Sequence, residues 1–253
     1  MKAVVYRRFG GPEVLEYTDV PNPKLAQNSV LVRVRAAALN PADHQLQAGL
    51  GVSHTDAWFP VIPGWDVAGV VERVGAGVSE FAPGDEVIGY IHQDILHNGA
   101  YAELVSAPVE TLLRKPRTAS WPEAAGLPLA GLTAYRAIVQ TLNVEPGETV
   151  LIHGAAGGVG VLAAQLALAR ASRVIGAASM GHHDFSGPSA CFRSLMEKGL
   201  PIASGLWPPT GSTLRWIASA RVSCTPPPTW DRAACARVRS RTSGRASPPS
   251  SRV

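Results

Sequence analysis

Apolar residues are grouped in short runs through the first three quarters of this chain, and that order is lost after Asp184. Alternating or continuous apolar runs predict strands, while small and apolar residues at helical spacing predict helices. The predicted strands are Lys2–Tyr6, Ser29–Ala37, Val67–Val74, Val150–His153 and Arg173–Gly176, and the predicted helices are Ala130–Leu142 and Val161–Arg170. The pattern therefore predicts an α/β fold that begins with strands and continues with a strand–helix–strand unit.

The last quarter of the chain differs from the rest in composition and charge. Pro226–Pro228 and Pro248-Pro249 lie among Ser, Arg and Gly, and Ala233–Val253 follows neither the strand nor the helix period. Residues 1–185 carry a net charge of −4, whereas residues 186–253 carry +8. We expect residues 186–253 to be irregular or disordered.

The abrupt change of composition predicts that this tail is translated out of frame, beginning near residue 185 or 186. Met196 and Trp207 each have a single codon, and both are compatible with a frame read one base earlier. In that frame three segments can encode a helix end, a loop and a strand: Ser186–Ala190 as LRALG, Leu195–Ser204 as YGEGLADRV, and Gly205–Trp216 as ALAPDGVDAAL. A native basic tail is the alternative interpretation.

A glycine-rich turn joins the strand Val150–His153 to the helix that follows it. Gly157 is expected to allow a tight turn, Gly158 to let backbone N–H groups approach a pyrophosphate, and Gly160 to let the helix lie close to the strand. The helix N-terminus would then face the phosphates. The predicted dinucleotide-binding residues of this turn are Ala155, Ala156, Gly157, Gly158, Val159 and Gly160.

The end of the next strand predicts the choice of dinucleotide. NAD-binding proteins place an acidic residue there on the ribose 2′-hydroxyl. This chain has Ala177, Ala178 and Ser179 instead, although Asp184 is near. A hydroxyl without a neighbouring carboxylate favours NADP, so Ser179 is a further predicted cofactor residue.

Composition limits the kind of protein and its compartment. With 46% hydrophobic residues the chain can build a substantial core. No signal peptide or membrane-length apolar run is apparent, and the three cysteines form neither metal-like spacing nor a disulfide framework. These features predict a cytoplasmic protein with free thiols and no membrane partner.

Residues 1–185 resemble a known family through motifs that share its order and spacing. The motifs are Met1-Lys-Ala-Val, Gly11-Pro-Glu-Val-Leu15, Val34-Arg-Ala-Ala-Ala-Leu-Asn-Pro-Ala-Asp43, Pro63-Gly-Trp-Asp-Val-Ala-Gly-Val-Val71, Val74-Gly-Ala-Gly-Val78, Pro83-Gly-Asp-Glu-Val87, Gly131-Leu-Thr-Ala-Tyr135 and Ala155-Ala-Gly-Gly-Val-Gly160. They resemble the zinc-independent medium-chain dehydrogenases/reductases, the quinone oxidoreductase or zeta-crystallin-like group. The resemblance implies a GroES-like partial β-barrel at residues 1–118, half of an NADP-binding Rossmann domain at 119–185, and the out-of-frame tail at 186–253.

The same resemblance argues against a metal. Zinc alcohol dehydrogenases of this superfamily use a cysteine near Asn40, a His-Glu pair near Asp66 and a four-cysteine structural lobe, but no cysteine precedes Cys191 here. The scattered histidines form no ligand pattern. We therefore expect no metal site.

Three residues are catalytic candidates: Asn40 and Asp43 by resemblance, and Asp66 by its position between Pro63-Gly64 and an apolar strand. Asn40 and Asp43 are expected to line the cleft beside the nicotinamide, although Asn40 could instead cap a turn and Asp43 could lie in the first turn of a helix. Asp66 is expected at the cleft mouth, or else as a loop residue that satisfies backbone donors. Thr133 is expected near the nicotinamide ribose or carboxamide, with a mid-helix hydroxyl as the alternative.

One departure from the family concerns the substrate. Many quinone reductases carry a Tyr and an Arg shortly after the Asn-Pro-x-Asp motif, where this chain has Gln45 and Gln47. The expected loop Val52–Pro60, with Trp58 and Phe59, is a candidate wall of an apolar pocket.

Three functions are consistent with these features. The first is an NADPH-dependent reductase of quinones, enones or related carbonyl compounds, present as a damaged copy of low or no activity. The second is an enoyl-thioester reductase, and the third is a non-enzymatic protein that binds nucleic acid or an acidic surface through its basic tail. We expect a small-molecule substrate and no nucleic acid, and a homodimer is doubtful because the strands that would form it lie in the altered region.

Overall fold

The computed structural model describes residues 1–50, 56–170, 172–178 and 214–217. The chain forms two compact units, Met1–Leu129 and Ala130–Val253. The domain boundaries after residues 118 and 185 stay predictions. Within the described residues, no helix has the length and apolar character needed to span a membrane.

The described strands of the first unit are β1 Lys2–Val5, β2 Glu16–Asp19, β3 Ser29–Ala38, β4 Asp56–Ile62, β5 Asp66–Val74, β6 Glu86–Tyr90, β7 Ile95–Asn98, β8 Leu104–Pro108 and β9 Leu112–Arg114. A five-stranded antiparallel sheet with strand order β8-β3-β5-β6-β9 forms the centre of this unit. A two-stranded antiparallel sheet (β1 and β2) and a two-stranded parallel sheet (β4 and β7) accompany it.

Valines on the central strands build the main core of this unit. Val30 and Val32 of β3 and Val67 and Val71 of β5 are almost completely buried and belong to one apolar cluster. β-branched side chains pack well on a pleated sheet, which explains why these runs form strands.

Two short helices of the first unit begin with a capping box. Helix α1, Pro41–Gln47, starts after Asn40, and helix α2, Trp121–Ala125, starts after Ser120. In each helix an acidic side chain three residues after the N-cap accepts the N-cap backbone N–H, which satisfies donors that a helix start leaves without partners.

The second unit contains the predicted strand–helix–strand arrangement. Strand β10, Thr149–His153, pairs in parallel with β11, Arg173–Ala177, and helix α4, Gly158–Ala169, connects them. Helix α3, Pro128–Tyr135, begins at the boundary between the units, and a π-helical segment, Arg136–Thr141, follows it. Buried residues from these elements form one apolar cluster, which includes Ala134, Ile138, Val150, Ile152, Ala163, Ala167 and Val174.

The structure differs from the sequence predictions in three elements. Residues 56–60, predicted as loop, belong to β4, because β4 pairs with β7 far along the chain. The predicted helix Ala130–Leu142 changes to π-helical geometry after Tyr135. Leu214–Ile217, predicted as irregular, forms strand β12 in parallel with β10, and two of its four residues, Trp216 and Ile217, are β-favouring types.

Candidate active site: a buried asparagine between two carboxylates

Asn40 lies between two buried carboxylates in the first unit. The antiparallel register of β3 and β5 places Ala38 opposite Asp66, so the chain that leaves β3 reaches Asn40 beside the start of β5. The Asn40 side-chain Nδ2 donates to Asp66 Oδ2 over 3.0 Å, and the Asn40 backbone N–H donates to Asp43 Oδ2 over 2.8 Å. The two carboxylates therefore hold the side chain and the main chain of one residue.

Asp66 is fully buried, whereas its sequence context predicts a place at a cleft mouth. It is the first residue of β5, and its Oδ1 accepts the backbone N–H of Leu129 over 2.9 Å. Leu129 is the second residue of helix α3, where backbone N–H groups have no intrahelical partner. The structure thus agrees with the alternative interpretation, a carboxylate that satisfies a backbone donor.

Asp43 is also buried, and it faces the inside of the unit. It is the third residue of helix α1, and its Oδ2 accepts the hydroxyl of Tyr101 over 2.9 Å. Gly64 makes room for the ring of Tyr101: its φ is +94°, and a Cβ there would lie 2.5 Å from the ring atoms Cδ1 and Cε1. The helix-start interpretation of Asp43 is therefore the one that the geometry supports.

Tyr101 belongs to the site, although no sequence motif points to it. Its position depends on backbone hydrogen bonds to a distant segment: Tyr101 N–H donates to the Pro63 carbonyl over 3.0 Å. The glycine in Pro63-Gly64 is visible in the sequence, but the ring that needs its space lies 37 positions further on. No local pattern connects the two.

Burial controls the ionisation of both carboxyl groups. Burial raises the pKa of Asp66 from 3.8 to about 6, although hydrogen bonds from Asn40 and Leu129 oppose this and the Asp43 charge adds to it. Burial likewise raises the pKa of Asp43, against hydrogen bonds from Asn40 and Tyr101. Across the described residues, neither carboxylate has a Lys, Arg or His within salt-bridge distance.

The raised pKa of Asp66 predicts a pH-dependent effect of the Asp66→Asn substitution. The folded protein takes up a proton more readily than the unfolded chain between about pH 4 and 6, so this group destabilises the fold increasingly as pH rises through that window. At pH 5 the wild-type carboxyl is mostly protonated, so it and the asparagine each offer one carbonyl acceptor to the two donors, and we expect their stabilities to differ by about 1 kcal/mol or less. Between pH 5 and pH 7, where the wild-type carboxylate is charged, we expect the free energy of unfolding of the variant to rise by about 1–3 kcal/mol relative to the wild type.

Amide hydrogen exchange of β5 at pH 5 and pH 7 measures this difference on the full chain. The Asp43→Asn variant is the comparison. The Asp43 carboxyl that it replaces is also buried, but it accepts the Asn40 backbone N–H and the Tyr101 hydroxyl instead of the Leu129 N–H. A difference between Asp66→Asn and the wild type that is equal at both pH values would show that Asp66 does not titrate in this range.

The predicted dinucleotide-binding turn lies between β10 and α4 in the second unit. Helix α4 begins directly after Gly157, and the first backbone N–H groups of a helix have no intrahelical acceptor. A Cβ on Gly158 would meet nothing within 4 Å. A Cβ on Gly160 would lie 2.7 Å from Ala155 Cα and closer still to the Gly154 carbonyl oxygen. The close approach predicted at Gly160 is present, and open space lies beside Gly158.

The tight turn requires a different glycine from the one predicted. Gly157 has φ −81° and ψ 165°, which any residue can adopt, whereas Gly154 has φ +68°. Gly157 instead makes space, since a Cβ there would lie 3.2 Å from the Gly154 carbonyl oxygen. The expected role of Gly157 in turning the chain is therefore wrong, and Gly154 fulfils it.

The remaining residues of the predicted cofactor site differ in how far they are exposed to solvent. Ala155 is buried, and Ala156 and Val159 are half-buried beside the turn. Thr133 lies within α3 with its side chain exposed. Ser179 lies outside the described residues. The described end of β11, Ala177 followed by Ala178, carries no acidic side chain.

Gln47, which departs from the family pattern, and Phe59, expected in the wall of a substrate pocket, both contact other residues of the first unit. Gln47 is buried, and its Nε2 donates to the Gly11 carbonyl over 2.8 Å. Phe59 packs edge-on against Phe9 with ring centroids 5.2 Å apart, and Trp58 is 62% exposed on β4. No group of three or more His, Cys, Asp or Glu side chains able to hold a metal occurs among the residues that the structure describes.

Comparison with known proteins relates this geometry to a family. The alcohol dehydrogenase GroES-like domain family matches residues 26–117. A quinone oxidoreductase from Pongo abelii is 37% identical over 179 residues, which are 70% of this chain and 53% of that protein. An NADPH-dependent alkenal/one oxidoreductase, chloroplastic, from Arabidopsis thaliana is 40% identical over 172 residues, 66% of this chain and 44% of that protein.

A solved structure shows the same fold. Escherichia coli quinone oxidoreductase, complexed with NADPH, superimposes with a TM-score of 0.69 at 28% identity, over 78% of this chain and 58% of that one. The chain spans about half the length of the curated relatives it matches. Its first unit is GroES-like and its second is of the Rossmann type. Over the residues that match, the chain is similar to the quinone oxidoreductases of the medium-chain dehydrogenase/reductase family.

Proposed function

We propose that this sequence descends from an NADPH-dependent oxidoreductase that reduces quinones, enones or related carbonyl compounds. The glycine turn between β10 and α4 carries the proposal. Open space beside Gly158, closely packed Gly160 and the first N–H groups of α4 together form a site suited to a pyrophosphate. The relatives whose names specify quinones, alkenals and NADPH support the same activity.

The residues present fit an NADP cofactor. Ala156, Gly158 and Val159 would hold the phosphates through backbone N–H groups, whereas the Gly157 N–H donates to the Gly154 carbonyl over 2.9 Å. Strand β11 ends at Ala177 and Ala178 follows it, so no carboxylate there opposes a 2′-phosphate. When bound, the cofactor supplies hydride transfer. The protein supplies orientation and a hydrogen-bond donor for the acceptor oxygen, and Asn40 is the proposed source of that donor, with Asp43 and Asp66 holding it in place.

Binding of the two dinucleotides tests the cofactor assignment. In the chain with its proposed frame restored, we expect NADPH to shift the backbone amide resonances of residues 157–160 at about tenfold lower concentration than NADH, a difference of about 1.4 kcal/mol. The Ala178→Asp variant should reverse the preference, because an acidic residue at this strand end binds the ribose 2′-hydroxyl. Equal responses to both cofactors, or none at these amides, would contradict the assignment.

We further propose that residues 186–253 are translated out of frame, so that this polypeptide has little or no turnover. A rate with NADPH and a quinone equal to that of an intact relative would refute the loss of activity. The acceptor class is tested in the same assay by replacing the quinone with an enone and with an enoyl thioester. Faster turnover of the thioester would favour the enoyl-thioester reductase alternative.

A further inference from the structure

Tyr6 carries a buried hydroxyl group that forms no hydrogen bond with any residue that the structure describes. The residue is 1% exposed, and its backbone exchanges two hydrogen bonds of 2.9 Å with Val61 of strand β4. Its ring lies against the rings of Phe9 and Phe59, with centroid distances of 6.4 Å and 6.0 Å. The backbone and the ring are therefore held in place, and only the hydroxyl lacks a contact of its own kind.

The surroundings of this hydroxyl make a hydrogen bond necessary. Tyr6 belongs to an apolar cluster that also contains Val14, Val61 and Leu96. Buried tyrosine hydroxyls usually have a partner, because a buried donor without one has lost its bonds to water and gained none in return. Since the residue is almost completely enclosed, bulk solvent at the protein surface does not supply that partner.

A small pocket of the first unit offers room for such a partner, and Tyr6 lines it. The volume accessible to a water molecule is about 20 Å³, and about 10–15 Å³ of such volume is enough to hold one water. The lining is apolar at Leu96 and polar at Asp43, Gln93 and Asn98. A buried water makes about two to four hydrogen bonds, and these polar residues carry groups that can form them.

The charge of Asp43 acts on the Tyr6 hydroxyl without a direct contact. Burial and the Asp43 charge together raise the pKa of Tyr6 to about 12. The donors to Asp43 Oδ2 are instead the Tyr101 hydroxyl and the Asn40 backbone N–H. Polar groups that interact over a longer distance are often joined by a water. A negative charge attracts the hydrogens of such a water, so that its oxygen is free to face the Tyr6 hydroxyl.

We propose that this pocket is a binding site for one ordered water molecule, which accepts the Tyr6 hydroxyl and lies in the field of the Asp43 carboxylate. The water supplies the hydrogen bond that the apolar cluster cannot. It also connects the segment that follows β1 to helix α1, which carries Asp43. The site lies wholly within the first unit, so it does not depend on the proposed function.

The Tyr6→Phe substitution tests the proposal through the sign of its effect on stability. It keeps the ring contacts with Phe9 and Phe59 and removes only the hydroxyl. We expect the thermal midpoint of the full chain to fall by about 3 °C, because a hydrogen bond is lost. A midpoint that is unchanged or higher would overturn the proposal, since removal of a buried donor without a partner is neutral or stabilising.

Tyr17→Phe is the matched control for the same chemical change. Tyr17 is 72% exposed on strand β2, so its hydroxyl is hydrated by bulk solvent. We expect its loss to leave the thermal midpoint within about 1 °C of the wild type. An equal fall in both variants would overturn the proposal, because the effect of Tyr6→Phe would then not come from the pocket.

A crystal structure of the full chain provides a direct measurement that does not depend on the folding of any variant. We expect an ordered water within about 3.0 Å of Tyr6 Oη. A hydroxyl that donates directly to a protein atom, or a pocket without ordered water, would overturn the proposal.

Discussion

Gly160→Ala is expected to destabilise the second unit strongly, by about 3 kcal/mol, and to abolish NADPH binding. The added Cβ would lie 2.7 Å from Ala155 Cα and 2.9 Å from Ala155 C, and it would overlap the Gly154 carbonyl oxygen. All three are backbone atoms, so no side-chain rotation can make room. Helix α4 must move away from β10, which disrupts the apolar cluster that both elements share.

Gly158→Ala provides the matched control on the same helix, two residues earlier. Its Cβ meets nothing within 4 Å, and alanine has the higher helix propensity, so we expect stability to be unchanged or to rise by up to about 1 kcal/mol. The methyl group nevertheless occupies the space through which a phosphate would approach the helix start. NADPH affinity should therefore fall although the fold is intact.

Thermal unfolding and NADPH titration of the two variants, both made in the chain with its proposed frame restored, separate packing from ligand contact. Equal losses of stability in both variants would refute the close packing at Gly160. Unchanged NADPH affinity in Gly158→Ala would place the phosphates elsewhere, and it would remove the main support for the proposed cofactor site.

The second unit was predictable from its sequence because its signals are local. Val150–His153 is a continuous apolar run, the glycines follow it, and small residues then continue at helical spacing. The structure has these elements within three residues of the predicted bounds. The π-helical segment after Tyr135 has no such signal, since its residues would suit an ordinary helix equally well.

The first unit was less predictable because its geometry depends on contacts between distant residues. Strand β4 carries exposed aromatic residues that resemble a loop, and pairing with β7 is what makes it a strand. Asn40 and Asp66 were both singled out, yet their hydrogen bond joins residues 26 positions apart. Only the antiparallel register of β3 and β5 brings them together. Sequence patterns thus identify residues of the site more readily than the contacts between them.

Sequencing of the gene from the codon of Arg173 to that of Trp230 is expected to show a neighbouring frame that continues as LRALG, YGEGLADRV and ALAPDGVDAAL. A dinucleotide crevice requires strands from both halves of its sheet, because the ligand lies at the switch point between them. The proposed change of frame begins soon after β11, which ends at Ala177. Most of the remaining half-sheet would therefore be encoded in the other frame.

Restoring that frame should raise NADPH-dependent turnover of a quinone or enone by a factor of about 100 or more, the effect of completing a preorganised site. The unrestored chain is the control, prepared and assayed in parallel. The proposal would be contradicted if neither neighbouring frame were open, or if the restored chain were no more active than the unrestored one. The basic tail would then be the native C-terminal sequence. Binding of the tail should then be measured with an acidic polymer. An affinity that falls steeply with salt, and that disappears when residues 186–253 are removed, would assign a binding function to the tail.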